Sequence, residues 1–139
     1  MAIEYCADDR QVTPAEFIAL FSARAARPVL DEALLTDALA STINVTARDR
    51  ESLVGCVRLL SDGYLFTAVA ELMLHPDYTG QGIEQRLLEL AEDISPAGLW
   101  FGVHKLDDVF MRILGWHRGS TTYYKRKPLR TVTSKTEGT

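Results

Sequence analysis

The chain has 139 residues, enough for one domain with its own core and too few for two. Fifteen Lys+Arg against nineteen Asp+Glu give a net charge of -4, which argues against a nucleic-acid binder relying on a broad positive field and leaves room only for a local basic patch. No apolar run reaches the roughly 18 residues of a membrane span. Early acids at Glu4, Asp8 and Asp9 leave no basic-then-apolar leader, and Cys6 and Cys56 form no C-x-x-C pair for zinc or redox chemistry. The expectation is a cytoplasmic protein that uses no metal, since its three histidines lack ligand spacing.

In chain order, residues 2–6 suit a short strand. The segment VTPAEF then opens a helix: Thr13 caps it, Pro14 fits its first position, and Glu16 completes a reciprocal capping box. Val12 and Phe17 can staple across that cap, and Phe17, Leu20 and Phe21 form one apolar stripe. Arg27-Pro28 ends or bends the helix. A second helical pattern runs over 30–40. The period then changes to two strands, 43–48 and 53–60, and Asp62-Gly63 turns the chain into a third, 64–74. These three predict an antiparallel meander.

The junction LMLHPDYTGQGIEQRLLEL is the sharpest feature. It sets a strand, a proline turn and a glycine pair directly before an amphipathic helix with Ile83, Leu87, Leu90, Ala91 and Ile94 on its buried face. The first amides of a helix lack internal acceptors, and glycines let a bulky anion such as a pyrophosphate approach them. Gly80 and Gly82 are equally readable as plain turn residues. Neither a dinucleotide fingerprint nor G-K-[ST] is present. Residues 99–103 then form a strand that returns parallel to 64–74, so the sheet is mixed. A short helix over 106–113, with Gly115 at its left-handed cap, and a strand at 121–124 follow. One domain over 1–127 and a disordered tail over 128–139 are expected.

The stretch LVGCVRLLSDGYLFTAVAELMLHPDYTGQGIEQRLLELAEDI resembles the GCN5-related N-acetyltransferase (GNAT) superfamily. Leu74, Pro76, Gly82, Leu87 and Leu88 fall into the family's pattern of a strand end, a glycine turn and an aliphatic helix. The resemblance implies an α/β fold, a central mixed, mostly antiparallel sheet with about four helices. It also implies acetyl-CoA as co-substrate. Leu72, Met73 and Leu74 would run beside the pantetheine arm, with an amide near Met73 or Leu74 on the thioester carbonyl. Thr79, Gly80, Gln81, Gly82, Ile83 and Glu84 would cradle the pyrophosphate.

The chain departs from that pattern at Thr79, where the family has Gln or Arg, and at Glu84, where it has Gly or Ala. Glu84 suits a helix dipole and opposes a bound anion. Met111 stands where a tyrosine often protonates the leaving thiolate. Glu71, inside an apolar strand, is either a general base acting through water or the partner of a salt bridge. His104 at a strand end is either a second proton acceptor or a helix cap. Tyr64 and Phe66 share a strand face and suggest an acceptor pocket, while Arg24 and Arg27 suit an anionic substrate or a solvated face. The leading expectation is N-acetyl transfer from acetyl-CoA to a primary amine of a small molecule or peptide, with a homodimer as a candidate assembly. The competing one is a weak or inactive domain of the same fold with a regulatory or interaction role.

Overall fold

A computed structural model describes residues 2–24, 31–102 and 115–117. Residues Met1–Val103 form one compact unit and His104–Thr139 another. The first holds β1 (Ile3–Cys6), α1 (Pro14–Arg24), α2 (Glu32–Ala40), β2 (Ile43–Asp49), β3 (Ser52–Ser61), β4 (Phe66–Leu74), a 3-10 turn (Pro76–Tyr78), α3 (Ile83–Ile94) and β5 (Leu99–Gly102). Within the second, Gly115 has φ of 85°, the left-handed conformation expected of it. The predicted helix over 106–113, the strand over 121–124 and the tail over 128–139 lie outside the described residues.

The start of α1 follows from its local sequence. Thr13 N–H donates to Glu16 Oε2 at 3.1 Å, and Glu16 N–H donates to Thr13 Oγ1 at 3.2 Å, the expected capping box. Arg48 of β2 reaches the same place. It donates to Glu16 Oε1 at 2.8 Å and to Asp9 Oδ2 at 3.2 Å, so one guanidinium ties α1, the loop before it and the sheet together. Thr46 Oγ1 adds a bond to Asp9 Oδ2 at 2.8 Å.

The five strands lie in sequence order, antiparallel except for β4 and β5, which α3 joins in parallel. Alternation along β3 sends Cys56 to one face and Gly55 to the other. On the first face Cys56 and Met73 pack with Val12, Phe17, Leu20 and Leu39 of the α1–α2 layer. On the second, Leu87 of α3 lies over Gly55; a β-carbon there would stand 3.0 Å from Leu87 Cδ1. Ile83, Leu87, Leu88 and Ala91 are the buried stripe of α3, each of the larger three contributing about 1.5–3 kcal/mol. The C-terminal end of α3 is fixed by hydroxyls: Ser95 Oγ lies 2.8 Å from Thr67 Oγ1, which lies 2.8 Å from Ser61 Oγ.

The β3–β4 register slips once. Leu59 pairs with Val69, but Arg58 pairs with Glu71, so Ala70 is an extra residue in β4. The bulge exchanges the two faces. Thr67 and Val69 face α3, whereas Glu71 and Met73, also odd-numbered, face the α1–α2 layer. The strand begins at Phe66 rather than at Tyr64 as expected, because Asp62 Oδ1 accepts from the amides of Tyr64, Leu65 and Phe66 at 2.9, 2.8 and 3.1 Å and holds them in a turn. Tyr64 therefore does not share a strand face with Phe66.

Candidate active site

Among the described residues, the pairing of β4 with β5 reaches Val69, just before the bulge at Ala70. Their parallel pairing runs from Phe66↔Leu99 to Val69↔Gly102. Beyond it, residues 71–74 pair with β3 on one edge, and among the described residues no strand covers the other edge. His75 N–H continues the ladder to Val54 O at 2.7 Å. Alternation along the strand then turns the amides of Leu72 and Leu74 toward the uncovered edge and that of Met73 toward β3. The side chains of all three are buried. What the edge presents is backbone.

The chain leaves β4 through a turn fastened to the β2–β3 hairpin. Besides the His75 bond, Tyr78 Oη donates to Asp49 Oδ2 at 2.7 Å, which raises the tyrosine pKa. His75 Nδ1 accepts from Asp77 N–H at 3.1 Å, and its ring meets Tyr78 edge-on at 5.9 Å. This histidine is a brace of the turn. Thr79 Oγ1 donates back to Pro76 O, so its hydroxyl is used locally.

Gly80 and Gly82 then adopt φ of 79° and 76°. A β-carbon at either position would meet no heavy atom within 4 Å, so the backbone conformation, and not crowding, calls for glycine. Gly82 is the N-cap of α3, and no side chain caps the helix. The first intrahelical donor is Arg86 N–H, to Gly82 O at 3.1 Å, so the amides of Ile83 and Gln85 have no acceptor within the helix. Bare left-handed backbone with open space in front of it fits a pyrophosphate. Two features oppose that fit in part: residues 75–85 contain no Lys or Arg, and Glu84 stands in the first turn.

Glu71 lies on the α1–α2 face of β4 at the start of this edge. Arg58, directly opposite it on β3, donates from Nε to Glu71 Oε2 at 2.5 Å and from an η-nitrogen to Oε1 at 2.8 Å. That is the salt bridge the sequence left open beside the general-base reading. Arg58 was not among the expected site residues; only the strand register brings it here. Its pKa is raised, chiefly by the bonds to Glu71. Cys56, one pair further along the same face, is buried and inert: burial above all, then the Glu71 charge, push its thiol up to about 12. His104, Arg27 and Met111 lie outside the described residues.

The described residues contain no helix long and apolar enough to cross a membrane. No curated protein matches the chain in sequence. Solved structures do match in fold. An acetyltransferase of the GNAT family from Streptococcus pneumoniae superposes with a TM-score of 0.73 at 21% identity, over 91% of this chain and 100% of that one. A GNAT-family protein from Xanthomonas campestris gives 0.74 at 13% identity, over 90% and 94%. The enzyme AAC(6′)-Iy, solved with the bisubstrate analogue CoA-S-monomethyl-acetylneamine, gives 0.67 at 11% identity, over 93% and 100%. These likenesses establish the mixed-sheet fold. The sequence of residues 10–112 matches the Acetyltransferase (GNAT) family, and the chain therefore belongs to that family.

Proposed function

We propose that the chain transfers an acetyl group from acetyl-CoA to a primary amine of a small molecule or peptide. The observation that carries this is the alignment of two features at one end of the sheet: the edge of β4 that no described strand covers leads, through the turn at Pro76–Tyr78, into the left-handed start of α3, which no side chain caps. A thioester arm fits the first and a pyrophosphate the second.

In this reading Thr79, Gly80, Gln81, Gly82, Ile83 and Glu84 supply backbone to the pyrophosphate. Leu72 and Leu74 offer amides to the pantetheine arm and the thioester carbonyl, where an oxyanion develops. Alternation of the strand favours Leu74 over Met73 for the carbonyl. Acetyl-CoA supplies the acetyl thioester, from which the amine gains an amide bond and CoA departs as a thiol. Glu71 serves as a positioned anion. Arg58 takes one lone pair of each carboxylate oxygen, and those remaining accept from the arriving ammonium, whose proton passes to water before attack. The amine comes from the α1–α2 face, the side on which Glu71 lies. AAC(6′)-Iy, with a bisubstrate analogue that joins CoA to an acetylated amine, offers the parallel for two substrates meeting on this fold.

Glu84 favours a second reading, a domain of this family that binds acetyl-CoA poorly and has a regulatory role. Calorimetric titration with acetyl-CoA separates the two. Saturable micromolar binding by the native chain, with turnover of an amine, supports the enzyme. Binding gained only in Glu84→Gln assigns the regulatory role. Absence of binding in both proteins refutes the acetyl-CoA site.

A further inference from the structure

The face of the sheet that carries Glu71 continues, one row nearer the start of β4, into an apolar notch. Leu60 of β3, Ala68 of β4 and Phe101 of β5 lie side by side in register. Alternation puts all three on the α1–α2 face with Arg58 and Glu71. Ala68 is small, and its two neighbours are large and half exposed, Leu60 at 49% and Phe101 at 48%. Phe66 closes the lower end, with its ring 5.2 Å from that of Phe101 and 41% of its surface exposed. Leu99, paired with Phe66, extends the floor at 55% exposure. Single exposed apolar side chains are ordinary, but a contiguous set around a small residue marks a binding surface.

We infer that the acceptor is an amine bearing an aromatic or branched apolar group, seated on Ala68 between Leu60 and Phe101 with its ammonium against Glu71. The inference rests on the acetyl-transfer reading. Charge selects this occupant. The Arg58–Glu71 pair is the only ionised group on this row or the next among the described residues of β3, β4 and β5. Its carboxylate has acceptor sites left for an ammonium, whereas the guanidinium is turned onto the carboxylate. Spacing sets the size. Successive same-face rows lie roughly 6–7 Å apart, close to the distance between the nitrogen and the ring of a two-carbon arylalkylamine. A hydrophilic amine of the same length would leave the notch wet and gain nothing from it.

Initial rates with acetyl-CoA test this directly, with 2-phenylethylamine compared with ethanolamine, which carries a hydroxyl in place of the ring. The expected result is a kcat/KM at least tenfold higher for 2-phenylethylamine. Ala68→Phe fills the notch and should bring the ratio of the two close to one, while calorimetry shows acetyl-CoA binding retained. Phe101→Ser, which removes a wall instead, should lower the ratio as well. Equal rates for the two amines in the native chain, or a preference that survives both substitutions, would overturn the inference. So would a native dimer that either substitution turns into a monomer in light scattering, because the face would then belong to a second copy. If the chain neither binds acetyl-CoA nor acetylates any amine, the acetyl-transfer reading fails. The notch is then tested by titrating 2-phenylethylamine alone: binding lost in Ala68→Phe supports it, and no binding by the native chain refutes it.

Discussion

Gly55→Ala probes how tightly α3, and with it the glycine turn, is seated on the sheet. The new β-carbon would stand 3.0 Å from Leu87 Cδ1, 3.4 Å from Met73 O and 3.5 Å from Ala47 Cβ. The last two contacts are tolerable; the first requires Leu87 to move. Leu87 is fully buried, so it yields only if α3 lifts or its rotamer strains. Overpacking of this kind costs about 1–3 kcal/mol. Alanine recovers about 0.4–1 kcal/mol by restricting the unfolded chain. The net expectation is a destabilisation of about 1–2 kcal/mol, read from urea midpoints at constant m-value. Leu87→Ala alone should cost about 2–5 kcal/mol through its cavity. In the double variant the alanine methyl enters that cavity, so the two losses should fall short of additivity by about 0.5–1.5 kcal/mol. Because Leu87 sits one turn from the start of α3, Gly55→Ala should also weaken acetyl-CoA in calorimetry. A Gly55→Ala protein as stable as the native chain, with fully additive losses in the double variant, would refute this account of how the helix is held.

Three further outcomes are expected. Arg58→Met leaves Glu71 without its partner on a face where the two side chains are 16% and 27% exposed; it should cost about 1–3 kcal/mol in urea unfolding and raise the amine KM more than the acetyl-CoA KM. Burial alone would raise the Asp9 carboxyl, but bonds from Gln11, Thr46 and Arg48 more than reverse it, and Glu16 is lowered chiefly by its bond from Arg48. Both acids thus lie below their ordinary values when folded, so their stabilisation is complete above the unfolded range near ~4 and is lost as pH falls through the depressed values. Arg48→Met should flatten the decline in urea midpoint between about pH 5 and 3; an unchanged slope would refute the link. Finally, a thiol reagent at pH 8 should modify exposed Cys6 quickly and Cys56 only in denaturant, since Cys56 is buried with its thiol pushed up to about 12. Rapid labelling of both native thiols would contradict the packing of β3 against α1.

What could be read from the sequence was what is settled within a few residues. The capping box links Thr13 to Glu16, and the left-handed turn is encoded by Gly80 and Gly82 themselves. The meander and the parallel return of β5 follow from period and connection length, and the structure has both. The family resemblance rested on local signals too, the strand end at Leu74, Pro76, the glycine at 82 and the aliphatic Leu87 and Leu88. Tyr64 was misplaced because an aromatic beside a strand reads as strand, whereas the three amides gathered by Asp62 decide otherwise.

Glu71 shows why the remainder was hidden. With unbroken alternation it would lie on the same face as Thr67 and Val69, beneath α3, opposite Val57 instead of Arg58. The extra residue at Ala70 turns it over, and nothing in the composition of AVAEL announces a bulge. The Arg58 pair, and its place on the same face as Ala68, depend on that one irregularity. Before the bulge, β4 keeps β5 alongside and presents Phe66 and Ala68 to the α1–α2 face. After it, the strand presents Glu71 to that face, and no described strand covers the amides of Leu72 and Leu74. A single inserted residue thus gives one strand an exposed apolar surface at its start, a charged pair in its middle and a backbone edge that no described strand covers at its end, the order that the proposed amine-to-thioester transfer would use.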